Sequence, residues 1–126
     1  MTDLQLRVMR ILWKRKEASA ADVQKGLQPA HDLAITTVST LLNRMVKRGD
    51  VAMRRDGRQF FYSARVTEAD VSARELNEVA DLLYSGNAAA AIAHLVDITA
   101  LDQDDLRALA AKIAEKEKSN ARKSRR

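Results

Sequence analysis

Residues 34–66 read AITTVSTLLNRMVKRGDVAMRRDGRQFFYSARV, and the spacing of their apolar residues changes midway. Over residues 34–48, Ile35, Val38, Leu41, Leu42 and Met45 recur at the three-to-four spacing of one helix face. Gly49 follows Lys47 and Arg48, which suits a helix closed by a left-handed residue with cations in its last turn. The period then becomes two. Residues 51–55 and 59–66 flank Asp56-Gly57, a hairpin signal in which both turn positions are expected at positive φ. Phe60, Phe61 and Tyr62 add β propensity to the second strand.

Two shorter helices are predicted upstream. Leu4, Val8, Ile11 and Leu12, with Leu6, Met9 and Trp13 beside them, predict a helix over 3–15. Ser19, with Asp22 three residues on, forms a short-armed capping box and opens a helix to about Leu27, which Pro29 stops. Downstream, Thr67 caps a long helix with Glu68 and Asp70 in its first turn. Val71, Leu76, Val79, Leu82 and Leu83 form its apolar stripe, and Gly86 ends it. A short helix over 88–96 follows. Asp102 caps a last helix in which Leu106, Leu109, Ala110 and Ile113 sit at i, i+3, i+4 and i+7. The expected fold is mainly α with a small β-hairpin: a winged helix-turn-helix at 1–66, a helical dimerisation module at 67–117, and a basic, disordered tail at 118–126.

Composition narrows the function. With no cysteine among 126 residues, disulfides, thiol nucleophiles and Cys-based metal sites are excluded. No apolar run approaches the ~20 residues of a membrane span, and the N-terminus mixes charges with apolar residues, unlike a signal peptide. A soluble, cytoplasmic chain with no membrane insertion is expected. Residues 1–65 carry 13 Lys+Arg against 6 Asp+Glu, a charge of +7; residues 66–117 carry −7; residues 118–126 carry +5. Such a division points to a polyanion-facing part and a separate part that does not face one.

Three helices and a hairpin place the third helix in the major groove and the hairpin along the backbone. Opposite Val38 lie Thr36, Thr40, Asn43 and Lys47, flanked by Thr37, Ser39 and Arg44. No carboxylate occurs over 34–49, whereas a merely solvated helix face usually mixes acids with lysines. Small hydroxyls allow close approach to base edges, and Arg44 and Lys47 lie where phosphates would be. Arg54, Arg55 and Arg58 surround the hairpin tip. Ser19, at a helix start, is a further expected phosphate contact. A double-stranded DNA operator is therefore the expected partner. The alternative is a winged helix used only for protein contacts.

The chain resembles the penicillinase-repressor family of winged-helix transcription regulators, which includes regulators of β-lactamase and methicillin-resistance operons. The resemblance spans nearly the whole chain. It is carried by TDLQLRVMRILW at 2–13, TTVSTLLNRMVKRG at 36–49, DGRQFFYSA at 56–64 and HLVDITALDQDDLRAL at 94–109, the second being the most diagnostic. It implies that Thr36, Thr37, Ser39, Thr40 and Arg44 face DNA. It also implies a homodimeric repressor on a palindromic operator, paired through the helices after the wing. Val79, Leu82, Leu83, Ile92, Leu95, Leu106, Leu109 and Ile113 are the expected interface. Copper-responsive relatives end in a cysteine-rich metal hook, which this chain lacks. The β-lactam-responsive members are cut by a membrane sensor metalloprotease at an Asn-Phe bond; His94-Leu95 stand at that position here and are the candidate cleavage pair.

The remaining candidates are weak. His31 beside Asp32 is a lone loop pair, and His94 is isolated. Asp102, Asp104 and Asp105 lack the Gly and distal Glu of a calcium loop and are better explained as helix caps. The tail has no aromatic or aliphatic membrane anchor, so phosphate attraction is its better reading. Nothing assembles a nucleophile, a base and an oxyanion site. Neither an enzyme nor a cofactor is expected.

Overall fold

A computed structural model describes residues 1–124. Along the chain run α1 (Asp3–Arg15), α2 (Ala20–Leu27), α3 (Ile35–Arg48), β1 (Val51–Asp56), β2 (Gln59–Ala64), α4 (Glu68–Tyr84), α5 (Ala88–Ile98) and α6 (Gln103–Ser124). The protein is thus mainly helical with one two-stranded hairpin. Short polar side chains start most of the helices by accepting from free N–H groups of the first turn. Thr2 and Gln5 form a reciprocal capping box on α1, and Ser19 and Asp22 form one on α2. Thr67, Asn87 and Asp102 accept from the N–H groups of Asp70, Ala90 and Asp105.

Two compact units divide the chain, Met1–Val79 and a second starting at Ala80. The first holds the core. Val8, Met9 and Leu12 of α1 meet Val23 and Leu27 of α2, Val38, Leu42 and Met45 of α3, Val51 of β1 and Tyr62 of β2. Each large aliphatic side chain buried there stabilises the fold by about 1.5–3 kcal/mol. The helical contributions come from positions three or four apart, so the pattern that makes each helix amphipathic also makes the core. Ile35 departs from its predicted inward face and is exposed, because it occupies the first residue of α3.

The hairpin is antiparallel, in register from Val51 with Ala64 to Asp56 with Gln59. Asp56 is therefore paired, and the turn lies at Gly57-Arg58, one residue later than the sequence predicts. Only Gly57 has positive φ, at 65°, which a glycine adopts without a Cβ clash. The second strand ends at Ala64 rather than at 66. Ala18 adds a bridge on the other edge of β2: its N–H donates to Tyr62 O at 3.0 Å, and the Tyr62 N–H donates back at 2.8 Å.

The first unit runs to Val79, and long-range contacts hold the start of α4 to it, among them the Met1 N-terminus on Glu75 at 2.9 Å. Trp13 Nε1 donates to Val66 O at 2.9 Å. Val71 is buried. Arg74 Nη1 donates to Oδ1 of Asp50 at 3.2 Å. Asp50 is only 3% exposed, and its Oδ2 lies 3.8 Å from Arg48 Nε without a hydrogen bond among the described residues. Removing the Arg74 guanidinium leaves a buried carboxylate short of its principal donor. Arg74→Met is expected to lower stability by about 1–3 kcal/mol in urea titrations. An unchanged midpoint would show that Arg48 alone satisfies Asp50.

In the second unit, α5 runs to Ile98, beyond its predicted end, and neither α5 nor α6 contains a buried residue. Helix α6 continues through the stretch predicted to be disordered, as far as Ser124. Its alanines and lysines sustain the helix, and Arg122 and Lys123 complement the dipole of its last turn. Arg125 and Arg126 of that tail lie outside the described residues. Among the described residues, no single helix is long and apolar enough to cross a membrane.

Candidate nucleic-acid interface

Core contacts on Val38, Leu42 and Met45 fix the rotation of α3, because those side chains occupy one face. The opposite face is left to solvent. Thr36, Thr37, Thr40, Asn43, Arg44 and Lys47 are exposed, and Ser39 is half-buried at its margin. Thr36, Thr37, Thr40 and Arg44 share one shallow groove with Leu4 of α1 and Leu41. This face carries no carboxylate.

Two of these residues are already engaged. Thr40 Oγ1 donates to Thr36 O at 2.9 Å, so the hydroxyl presents lone pairs and a methyl group outward. Asn43 Oδ1 accepts from Tyr62 Oη at 3.4 Å, which leaves its amide NH2 as the outward donor. Burial raises the Tyr62 hydroxyl above its ordinary pKa, so it stays protonated and keeps that donor role at neutral pH. Helix α3 differs from the others at its start: Ala34 supplies no side-chain cap, and no acid lies in the first turn. Its free N–H groups thus remain without a side-chain acceptor among the described residues.

The three wing arginines separate into different roles. Arg54 Nε donates to Glu17 Oε2 at 2.7 Å, its Nη2 reaches the other carboxylate oxygen, and the guanidinium sits 4.8 Å from the Phe61 ring centre. That pair draws the wing to the loop between α1 and α2. The Arg54 hydrogen bond holds the Glu17 carboxyl below its ordinary pKa, and Glu17 raises that of Arg54. A depressed carboxylate pKa means that the clamp is complete above the ordinary glutamate range and is lost as pH falls through the lowered value. Arg55 Nε donates to Gly57 O at 2.8 Å, with its guanidinium 5.8 Å from the Phe60 ring centre, so it braces the turn. Arg58, at the turn itself, has no ion pair or hydrogen bond among the described residues. The sequence ranks the three alike; the structure leaves Arg58 the least committed.

Ser19 does not fit its expected phosphate role. It is 5% exposed, and its Oγ accepts from the Asp22 N–H at 3.1 Å. The hydroxyl caps α2 instead. His31 lies 3.9 Å from Asp3, and no group of three or more His, Cys, Asp or Glu able to hold a metal occurs among the described residues. Glu17, Asp50 and Arg74 escaped sequence reasoning because their partners lie 24–37 residues away. The residues expected at a dimer interface, Val79, Leu82, Leu83, Ile92, Leu95, Leu106, Leu109 and Ile113, are 40–75% exposed in the single chain. His94 and Leu95 are both exposed on α5, and Tyr84 Oη lies 2.6 Å from His94 Nδ1.

The commitments of Arg54 and Arg58 separate their expected effects. Arg58→Ala should reduce the dependence of nucleic-acid affinity on salt, by about one for each phosphate it no longer neutralises. Arg54→Ala should change it less, while loosening the wing. Equal slopes for the two variants would show that Glu17 does not hold Arg54 in solution.

Comparisons with known proteins agree with this fold. The family model described as penicillinase repressor matches residues 1–115. The chain is 36% identical over 106 residues to the transcriptional regulator BlaI of Mycobacterium tuberculosis, covering 82% of this chain and 76% of that one. It is 27% identical over 109 residues to the methicillin resistance regulatory protein MecI of Staphylococcus aureus, covering 86% and 89%. Its fold is similar to the solution structure of the DNA-binding domain of the repressor BlaI. That match has 30% identity and a TM-score of 0.50, over 56% of this chain and 85% of that one.

Proposed function

Because the chain belongs to the penicillinase-repressor family, we propose that it is a DNA-binding transcriptional repressor that reads a palindromic operator as a homodimer. The observation that carries this reading is the exposed, carboxylate-free face of α3. Thr36, Thr37, Thr40 and Asn43 offer short polar groups to base edges, and Arg44 and Lys47 offer charge to phosphates. Arg58 adds a phosphate contact from the wing. The domain at 1–66 supplies this surface, braced by the first turns of α4.

The homodimer is supported by the apolar side chains of α4, α5 and α6. A monomer rarely leaves this many leucines, valines and isoleucines in water, and a two-fold axis lets one stripe cover its copy. Two linked half-site contacts give the affinity that one lacks. Cleavage between His94 and Leu95 by a membrane sensor metalloprotease would remove α6 from the dimer and lower operator occupancy. Its support is positional: the pair is exposed, on a helix with no buried residue.

The test of the repressor reading is selection of bound duplexes from random sequence, followed by footprinting. A two-fold symmetric protected site, favoured by orders of magnitude over random DNA at ~0.15 M salt, is expected. Binding without sequence preference would overturn it. The test of release follows the intact chain in cells challenged with a cell-wall antibiotic. A fragment ending near His94 is expected as target genes rise; derepression with the chain intact would refute cleavage.

A further inference from the structure

The family match stops at residue 115, but α6 does not. The helix continues from Ala114 to Ser124, about 16 Å at helical rise. The apolar stripe of α6 ends with Ile113. The positions that would continue it one and two turns later hold Lys116, Glu117, Asn120 and only the small Ala121. This extension therefore has no large apolar side chain to bury against a second copy, and it lies outside the apolar surface that the dimer reading uses. What it carries is charge. Lys116, Lys118, Arg122 and Lys123 are exposed and make no ion pair among the described residues, while Glu115 lies 3.9 Å from Lys112. Lys118, Ser119, Arg122 and Lys123 line one concave strip, with Glu115 as its single carboxylate at the inner end. Complementing the helix dipole accounts for Arg122 and Lys123 in the last turn. It does not account for Lys116 and Lys118, more than a turn earlier.

We propose that the end of α6 is a second, sequence-independent DNA contact: a cationic helical arm that takes phosphates in addition to those taken by α3 and the wing. The proposal rests on the repressor reading for its partner. The arm's chemistry suits a duplex backbone better than a lipid surface, because residues 114–124 hold no aromatic or large aliphatic side chain to anchor them in a bilayer. Mostly lysine, it suits attraction to phosphate as a set of point charges rather than planar recognition of a base edge. A symmetric dimer would carry two such arms. Its contribution is therefore to affinity and to the rate of finding DNA, with no effect on which sequence is preferred.

The experiment compares the full chain with a variant carrying Lys116→Gln, Lys118→Gln, Arg122→Gln and Lys123→Gln, and with a chain ending at Glu115. Glutamine is a good helix former, and circular dichroism checks that helix content holds. Affinity for the selected operator and for a random duplex is measured from ~0.05 to ~0.2 M salt. The expected result is a salt slope smaller by about 0.9 for each phosphate left without its cation, at least two per chain. Both duplexes should be bound more weakly by the same factor, about ten-fold or more at the highest salt, with the specificity ratio unchanged. Unchanged slopes and affinities would overturn the proposal. So would tighter DNA binding by the variant, which would mean that the arm had been held by the acidic stretch at 66–117. Anionic phosphatidylserine vesicles bound by the parent but not the variant, with DNA affinity unaffected, would likewise overturn it and assign the arm to membranes. A parent that binds both duplexes equally, still with a slope that the arm substitutions flatten, would refute the repressor reading while supporting the arm.

Discussion

Leu109→Glu with Ile113→Glu should convert a dimer into a folded monomer and lower operator affinity by a factor of about 10²–10⁴. Both side chains are exposed in the single chain, and the core of Met1–Val79 contains neither, so the substitutions leave that core intact. In a symmetric dimer each change appears twice. Four carboxylates would then enter an apolar seam, where an unpaired charge is strongly disfavoured. The loss follows from linkage: once one half-site is bound, the tethered partner meets the second at high effective concentration, and a monomer forfeits that gain. Light scattering gives the mass and fluorescence anisotropy the affinity. A parent chain that is monomeric at micromolar concentration, or a monomeric variant with undiminished affinity, would overturn the dimeric reading.

The second large effect belongs to the face of α3. Thr37→Ala and Thr40→Ala should each reduce discrimination between operator and random DNA by about 1–3 kcal/mol per half-site, counted twice in a dimer. The two should differ in kind. Thr40 spends its proton on Thr36 O, so Thr40→Ala removes an acceptor and a methyl group. Thr37 has no such internal bond among the described residues, so Thr37→Ala removes a donor as well. Arg44→Ala and Lys47→Ala should instead weaken binding to both DNAs about equally and flatten the salt slope. Threonine variants that keep the full operator preference would show that another face of the protein reads the bases.

Much of this was legible locally. The span of α1, the capping box of Ser19 with Asp22, the closure of α3 at Gly49 and the hairpin after it follow from neighbours within four residues. So does the outward face of α3, since a helix whose one side is apolar leaves its other side to solvent. The position of the turn was less legible: Asp56-Gly57 and Gly57-Arg58 both offer a glycine, and cross-strand pairing of Asp56 with Gln59 chose between them.

The sequence by itself determined the order of elements, the charge division and the chemistry offered on α3, because periodicity, capping and turn preference act over a few residues. Only the tertiary structure decided what each polar group is free to do. Ser19, whose capping role is local, is buried by the core around it and so is not offered to phosphate. Glu17 claims Arg54 and leaves Arg58 at the turn, and Asp50 draws Arg74, and with it the start of α4, onto the first unit. Those pairings join residues far apart in the chain. Hydrogen bonding between distant residues selects them, with desolvation adding to it at Asp50, and neither exists until the core has formed.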